Sequence, residues 1–275
     1  MLGYADINVA VNLQRTQILF RPGALLAFFS LVLIIFYSLI IEPNWIEITH
    51  YTMNAKVHSS LKLAHITDLH IHKIGSLEHL IQRSLLSEKP DIIFVTGDLV
   101  DKIENHAIAF EFLKSLQANL GVWAVNGNWE NWIPILDAES LFENAGVKLL
   151  VNQVVQVRPD VIVFGFDDLT GSPPKELPDK PKIQTFCINL FHSPSFFDQL
   201  ENQCSLSLAG HTHGGQVSLP LIGPMWLPEG SGNYVSGWYQ SGTRKMYVSR
   251  GIGTSLAPIR FLSRPELMYL TVEPE

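Results

Sequence analysis

The chain has 275 residues, enough for one sizeable α/β domain or two small ones. Only 16% are charged and the mean hydropathy is +0.16, unusually apolar for a soluble protein. A net charge of −7 argues against nucleic acid as the main partner, because phosphate backbones call for a basic face.

Much of the apolar excess has one address. After an N-terminal segment, 1–21, residues 22–41 carry no charge, and that length suits a membrane-spanning helix of about 20 residues. Arg15 and Arg21 precede the run, while Glu42 and Glu47 follow it. The positive-inside bias then places the N-terminus in the cytoplasm and the bulk of the chain outside. No small-x-small cleavage site follows Ile41, so a cleaved signal peptide is disfavoured. Residues 22–42 are therefore expected to be a single-pass anchor in the inner (cell) membrane, with the lipid bilayer as partner. Pro43 and Asn44 end the helix, and residues 45–275 form the working domain.

Residues 45–51 are rich in strand formers and suit an edge strand. Residues 61–67 form a second strand that delivers Asp68-Leu69-His70 at its end. Asp-x-His on a strand exit turns one oxygen and one nitrogen ligand toward the same side. Ser76 caps a helix running to about Lys89, with Leu77, Leu80, Ile81 and Leu85 on one face, and Pro90 stops it. Residues 91–96 are a buried strand followed at once by Gly97-Asp98. A second helix fits 103–117, and 121–125 is a strand ending in Asn126-Gly127-Asn128-Trp129-Glu130. This alternation implies parallel pairing, with ligands at the carboxyl ends of the strands.

The second half is less helical. Residues 148–157 and 161–166 read as strands, followed by Asp167-Asp168 and a Pro-rich loop to 181. A strand over 183–191 ends in His192, and 195–203 suits a short helix. The apolar run 204–209 is a strand whose exit is Gly210-His211-Thr212-His213-Gly214-Gly215-Gln216. Strands over 216–219, 245–249 and 267–272 complete the count. Two sheets with flanking helices fit best, giving an α/β fold of the four-layer αββα sandwich type. Cys187 and Cys204 both lie in apolar runs; a single pair is no disulfide framework, so they read as core residues.

Five strand exits thus present Asp68/His70, Asp98, Asn128, His192 and His211/His213. The order D-x-H, G-D, G-N-x-E, H, G-H-x-H closely resembles the calcineurin-like metallophosphoesterases. Gly165-Phe166-Asp167-Asp168, Gly214-Gly215-Gln216-Val217, residues 247–253 and Arg264-Pro265-Glu266 look like its YkuE/YaeI-type bacterial branch. The resemblance covers roughly residue 45 to the C-terminus, and that branch also carries a membrane-targeting N-terminus. It implies one metal on Asp68, His70, Asp98 and His213, and a second on Asp98, Asn128, His192 and His211, with Asp98 bridging. It further implies hydrolysis of a phosphate ester by a metal-bridging hydroxide, with Asp98, Asn128 and His211 central to catalysis. A bridging carboxylate suits two cations because it offers two anionic oxygens, and such a pair clamps phosphate oxygens for in-line attack. His/Asp/Asn ligation without cysteine fits two divalent ions among Mn, Zn, Fe and Co.

One position departs from the family pattern. Members usually carry histidine after the Gly-Asn pair, and it assists the departing oxygen; here Trp129 stands there, with no titratable proton near neutrality. A phosphoanhydride would need less help in leaving than an alkoxide. Members of the wider family that hydrolyse UDP-2,3-diacylglucosamine in lipid A synthesis also lack that histidine, which makes a membrane-bound pyrophosphatase acting on the cytoplasmic side the alternative expectation. A catalytically weak, membrane-tethered metal-binding protein is a third. Apolar residues beside the proposed ligands, notably Trp129, Trp132, Phe196, Phe197 and residues 219–227, fit either a lipid-linked substrate or plain packing over the sheets. Asp101 and Glu130 are candidates for orienting ligands. Arg250 and Arg260 are candidates for phosphate contact or carboxylate pairing. No protein partner is inferred.

Overall fold

Two six-stranded sheets carry the domain. The computed structural model describes residues 22–173, 186–200 and 204–275. It divides into two compact units, Met1–Phe36 and Tyr37–Glu275. In the first, α1 (Pro22–Phe36) has solvent-facing apolar side chains along its length. The helical stretch Gly23–Asn44 has a mean hydropathy of 2.8, long and apolar enough by length and composition to cross a membrane. Arg15 and Arg21, on which the expected orientation rests, lie outside the described residues.

In chain order the strands of the first half are β1 (Glu47–Ala55), β2 (Leu61–Ile66), β3 (Ile92–Thr96), β4 (Val122–Val125), β5 (Val147–Leu149), β6 (Gln153–Arg158) and β7 (Val161–Gly165). Those of the second half are β8 (Phe186–Leu190), β9 (Leu206–Ala209), β10 (Ser218–Leu219), β11 (Gly223–Pro224), β12 (Gly237–Ser241), β13 (Arg244–Val248) and β14 (Glu266–Pro274). The first sheet runs β1-β14-β2-β3-β4-β5, and the second β12-β13-β9-β8-β7-β6; β10 and β11 make a separate small hairpin. The strands that carry the motifs pair in parallel: β2 with β3, β3 with β4, β7 with β8 and β8 with β9. Their carboxyl ends therefore come out along one edge of each sheet. β3, β4, β7, β8 and β9 are buried along their whole length, which is why their sequences are near-continuous apolar runs rather than alternating ones.

The sheets face each other across a core in which Leu61, Leu63 and Phe94 pack with Val161, Val163, Ile188 and Leu206. The outer face of the first sheet is covered by α2 (Ser76–Glu88), α3 (His106–Lys114) and α5 (Ala138–Asn144), through Ile81, Leu85, Phe112 and Phe142. α4 (Asn128–Trp132) is a single short turn at the exit of β4. The expected sandwich is thus present, but among the described residues its fourth layer is thin. A 3-10 turn, Pro194–Gln199, lays Phe196 and Phe197 over the second sheet.

Several expectations need correction. Cys187 and Cys204 are buried core residues, and they also form a disulfide, bringing β8 to the segment that enters β9. The helix expected over 103–117 opens as a 3-10 turn, Ile103–Asn105, and is α-helical only over His106–Lys114. Ser76 is the first helical residue of α2 rather than its cap. Gly75 holds the cap position, and its N–H is taken by the Glu78 carboxylate. The strand expected over 148–157 is two, β5 and β6, which lie in different sheets. The strand expected over 216–219 is reduced to the two residues of β10. The expected strand start at 183, the loop to 181 and the end of the helix at 203 lie outside the described residues.

Candidate metal centre

The seven residues expected as ligands arrive from four strand exits of the first and second sheets and from one helix start. Asp68 and His70 follow β2, Asp98 follows β3, Asn128 opens α4, His192 follows β8, and His211 and His213 follow β9. All seven are buried. Five of them sit in left-handed backbone conformation: Asp68 (φ 52°), His70 (φ 40°), Asp98 (φ 56°), His211 (φ 72°) and His213 (φ 50°). Such conformations are costly for residues other than glycine and mark places where the surrounding structure imposes them. Close backbone approach is part of that imposition. Gly97 (φ 85°) lies against the backbone of Gly127, and Gly210 against Thr67 and Asp68, so a Cβ at either would clash.

The side chains converge as two groups. The ligand atoms of Asp68, His70 and His213 lie within 4.8 Å of one another, and so do those of Asp98, His192 and His211. Asn128 joins the second group, its Oδ1 standing 3.1 Å from His192 Nε2. The Asp98 Oδ2 atom is 3.1 Å from His192 Nε2 and 3.6 Å from His70 Nε2, so one carboxylate oxygen faces both groups. This is the placement a bridging ligand requires.

Hydrogen bonds fix which ring nitrogens are free. His192 Nδ1 donates to the Thr96 carbonyl at 2.7 Å, which turns Nε2 toward Asp98 and Asn128. His211 Nε2 donates to the Glu229 carbonyl at 2.6 Å and leaves Nδ1 for the centre. His70 is buried with neither ring nitrogen hydrogen-bonded. An orphaned buried imidazole among carboxylates costs free energy unless something electrophilic answers it. The residues present therefore fit a pair of divalent cations.

Electrostatics point the same way. Burial pushes the Asp68 carboxyl up to about 6, and the nearby Asp98 charge adds to the shift. Burial opposes a charge on His192, yet Asp98, Asp68 and Asp168 overcome it and raise its pKa well above 6.5. Burial lowers His70 to about 4 and His211 to about 4, and it lowers His213 as well. These three imidazoles are thus neutral at pH 7, as ligands must be, whereas His192 carries a proton beside Asp98 and Asp68 that a bound cation would have to displace.

Supporting contacts sort the remaining candidates. Glu130 accepts from the backbone N–H groups of Asp98 (2.8 Å), Leu99 (2.7 Å) and Gly127 (2.6 Å), and so pins the Asp98 turn to the start of α4. Burial, with Asp98 close by, raises its pKa to about 7. Asp101 instead pairs with His72 at 3.5 Å, on a half-exposed loop. Arg250 pairs with Glu47 and Glu266. Among the described residues Arg260 makes no ion pair with a carboxylate, and its Nη2 lies 3.4 Å from His213 Nδ1. It is fully buried and donates to the carbonyls of Gly253, Ser263 and Arg250, and it tethers the loop that packs on Asp68 and His70. Asp168 gains a role that its motif alone does not reveal, accepting from Ser193 Oγ and Thr170 so as to brace the turn after His192. The Thr96 and Glu229 contributions are backbone carbonyls and leave no mark in the side-chain sequence.

A cavity of about 620 Å³ opens onto the centre, where Asp98, Asn128, His211 and His213 form its floor. Its walls include Trp129, Trp132, Leu169, Trp226 and Leu256, with Thr170, Ser193, Ser195, Glu229 and Ser255 as polar members. Trp129 stands edge-on to His70, ring centres 6.0 Å apart, and against Trp132 at 5.4 Å. At the position where the family resemblance leads one to expect a histidine, the structure presents an apolar wall.

Residues 61–215 match the Calcineurin-like phosphoesterase family, a span that includes all seven converging side chains. The chain belongs to the calcineurin-like metallophosphoesterases. It is 30% identical to the uncharacterized metallophosphoesterase YkuE of Bacillus subtilis, over 86% of this chain and 89% of that protein. It is also 30% identical to the phosphodiesterase YaeI of Escherichia coli, over 83% and 89% of the two chains. The UDP-2,3-diacylglucosamine pyrophosphatase LpxG of Chlamydia trachomatis is 25% identical over 98% of this chain and 99% of its own length. As a metallophosphoesterase, the protein is a metal-dependent phosphoric ester hydrolase.

Proposed function

We propose that the protein is a membrane-anchored phosphodiesterase with a binuclear metal centre. Asp68, His70, Asp98 and His213 hold one divalent ion, and Asp98, Asn128, His192 and His211 hold the other. The observation that carries this reading is the single Asp98 oxygen facing both groups. Bound in this way, the pair supplies Lewis-acid charge to phosphate oxygens and lowers the pKa of water.

The chain's own residues do the rest. His211 and Asn128 line the cavity floor, and the Asn128 amide NH2 is the donor there that a phosphate oxygen would meet. The Thr96 and Glu229 carbonyls keep His192 and His211 in the required tautomers. Glu130 holds Asp98 in register with Asn128. Trp129 and Trp132 exclude water from one side of the cavity, which strengthens the charge interactions inside it. Trp129 cannot protonate a departing oxygen, so good leaving groups are favoured.

A second reading, hydrolysis of a nucleotide-linked lipid such as UDP-2,3-diacylglucosamine, is favoured by that tryptophan, the apolar cavity walls and the full-length similarity to LpxG. The Cys187–Cys204 disulfide supports the outer side of the membrane, since such bonds persist in oxidising compartments, and it weighs against a cytoplasmic substrate. The deciding experiment uses detergent-solubilised full-length protein with Mn or Zn. It compares bis-p-nitrophenyl phosphate, p-nitrophenyl phosphate and UDP-2,3-diacylglucosamine, with Asp98→Asn and His211→Ala as controls. Diester turnover that both substitutions abolish is expected. A much faster reaction with the nucleotide lipid would put the second reading first, and silence on all three would remove both.

A further inference from the structure

Three leucines share an unusual state. Leu221 (φ 68°), Leu256 (φ 64°) and Leu262 (φ 54°) are the apolar members among the described non-glycine residues with left-handed backbone. All three side chains face solvent, at 107%, 77% and 53% exposure respectively. Leucine is a poor choice for that conformation, where glycine or asparagine is far less strained. An exposed side chain gains the domain no burial in return. The fold therefore has no use for leucine at these positions, and strain without a folding benefit points to something outside the fold.

The three lie on segments that are hydrogen-bonded to one another. Leu221 is at the tip of the β10–β11 hairpin, followed by exposed Ile222, Met225 and Trp226. The arm of that hairpin is stitched to the loop that carries Leu256 and Leu262. Ser218 N donates to the Phe261 carbonyl at 2.8 Å, and Phe261 N to the Gln216 carbonyl at 2.9 Å. Gln216 Nε2 reaches the carbonyls of Ser255 and Ala257 at 3.1 and 3.0 Å. Trp226 and Leu256 also form the wall of the metal-centre cavity, so this apolar rim borders its mouth.

The same loop receives the chain as it leaves the apolar N-terminal run. Arg260 N donates to the Ser38 carbonyl at 2.9 Å, and the rings of Tyr37 and Phe261 meet edge-on at 6.3 Å. Glu42, fully buried, accepts from Leu262 N and Ser263 N. The end of a segment apolar enough to cross a bilayer and the strained leucines are thus fastened to one short loop.

We propose that the rim formed by Leu221, Ile222, Met225, Trp226, Leu256 and Leu262 enters the surface of the lipid bilayer and holds the mouth of the metal centre at the headgroup level. Scattered exposed apolar side chains are ordinary in proteins. A set of them on a hairpin turn and on the loop bonded to it, beside the end of an apolar helical segment, is what interfacial insertion uses. The inference goes beyond the hydrolytic reading and does not depend on it, since docking requires neither metal nor turnover. If both hold, the enzyme acts on phosphate groups that lie in the membrane plane.

The test uses the full-length protein in nanodiscs of phosphatidylethanolamine and phosphatidylglycerol that contain an acyl-chain spin-labelled lipid. The disulfide leaves no native thiol to react, so a bimane label is placed at Ile222→Cys or, as an exposed apolar control near the far end of α2, at Leu86→Cys. Quenching several-fold stronger at 222 than at 86 is expected. In a Leu221→Asn/Ile222→Ser/Leu262→Asn background, quenching of a label at Met225→Cys should fall toward the control value. That triple variant should melt no lower than the wild type, because two left-handed leucines become asparagine, and it should keep its turnover of bis-p-nitrophenyl phosphate in detergent, because none of the three residues lines the cavity. Equal quenching at 222 and 86 would overturn the proposal. So would a label at 222 that is shielded from water but unquenched in discs holding two chains, because the rim would then cover a second copy. Absence of diester turnover would sink the hydrolytic reading while leaving the quenching result untouched.

Discussion

The metal centre and the apolar rim contain the same backbone anomaly with opposite surroundings. At the centre, five left-handed residues are polar, buried and locked by glycine contacts and hydrogen bonds. At the rim, three left-handed leucines are apolar and exposed. Buried strain is held in place because the surrounding packing over-determines it, and it aims ligands at a common point. Exposed strain is held through the backbone, at Leu262 by its N–H bond to Glu42, so an exposed side chain there can change at little cost to the domain. The difference teaches that strain at the centre is built into the buried turns that carry the ligands, whereas strain at the rim lies on exposed apolar residues.

Substitutions sharpen this contrast by sign and size. Gly97→Ala drives a Cβ into the Gly127 backbone at φ 85°, and it should lower stability by about 2–4 kcal/mol in urea unfolding. Chelation comes next. Divalent metal about 100-fold above its dissociation constant stabilises a folded site by about 2.7 kcal/mol, so EDTA should lower the thermal midpoint of the wild type but hardly that of Asp98→Asn.

His65, buried in relaxed strand geometry next to the strained exit, gives a pH-dependent term. Burial lowers its pKa from 6.5 to about 3, so the folded protein keeps it neutral. As pH falls below 6.5 the unfolded chain binds a proton that the folded one refuses. The stabilisation is therefore complete above pH 6.5 and is lost between there and about 3, at no more than about 1.4 kcal/mol per pH unit. Urea midpoints at several pH values should fall with acid in the wild type and less steeply in His65→Gln. Leu221→Asn should have the smallest effect and the opposite sign to Gly97→Ala, raising stability by about 0.5–1 kcal/mol as left-handed strain is relieved. A loss of stability there would show that the rim leucine packs on the domain after all.

The sequence made the centre legible for a physical reason. The ligands follow runs of strand formers, and parallel strands bring their exits to one edge, while the family resemblance of the motif order implied the grouping of residues as far apart as Asp68 and His213. What stayed hidden depended on backbone or on unique geometry. The carbonyls of Thr96 and Glu229 that orient the histidines have no side-chain signature. Asp168 could be quoted as part of a motif, but its bracing of the His192 turn depends on Ser193 and Thr170 arriving together. The five-residue helix Asn128–Trp132 is too short for periodicity to show. Cys187 and Cys204 were legible as buried but not as bonded, since apolar burial and pairing leave the same pattern when only two cysteines occur. The rim leucines were visible as apolar residues, while their left-handed backbone, the property that sets them apart, was not.

The account rests most heavily on Asp98, whose Oδ2 lies 3.6 Å from His70 Nε2 and 3.1 Å from His192 Nε2 and so faces both ligand groups more closely than Asp68 Oδ1, at 3.5 Å from His213 Nε2 and 3.9 Å from His192 Nε2. Counting metal per chain in Mn-loaded full-length protein, beside Asp98→Asn prepared in the same way, tests it directly. The account predicts two ions per wild-type chain, and in the variant one or none, together with lost diester turnover. Two ions and undiminished turnover in Asp98→Asn would contradict it.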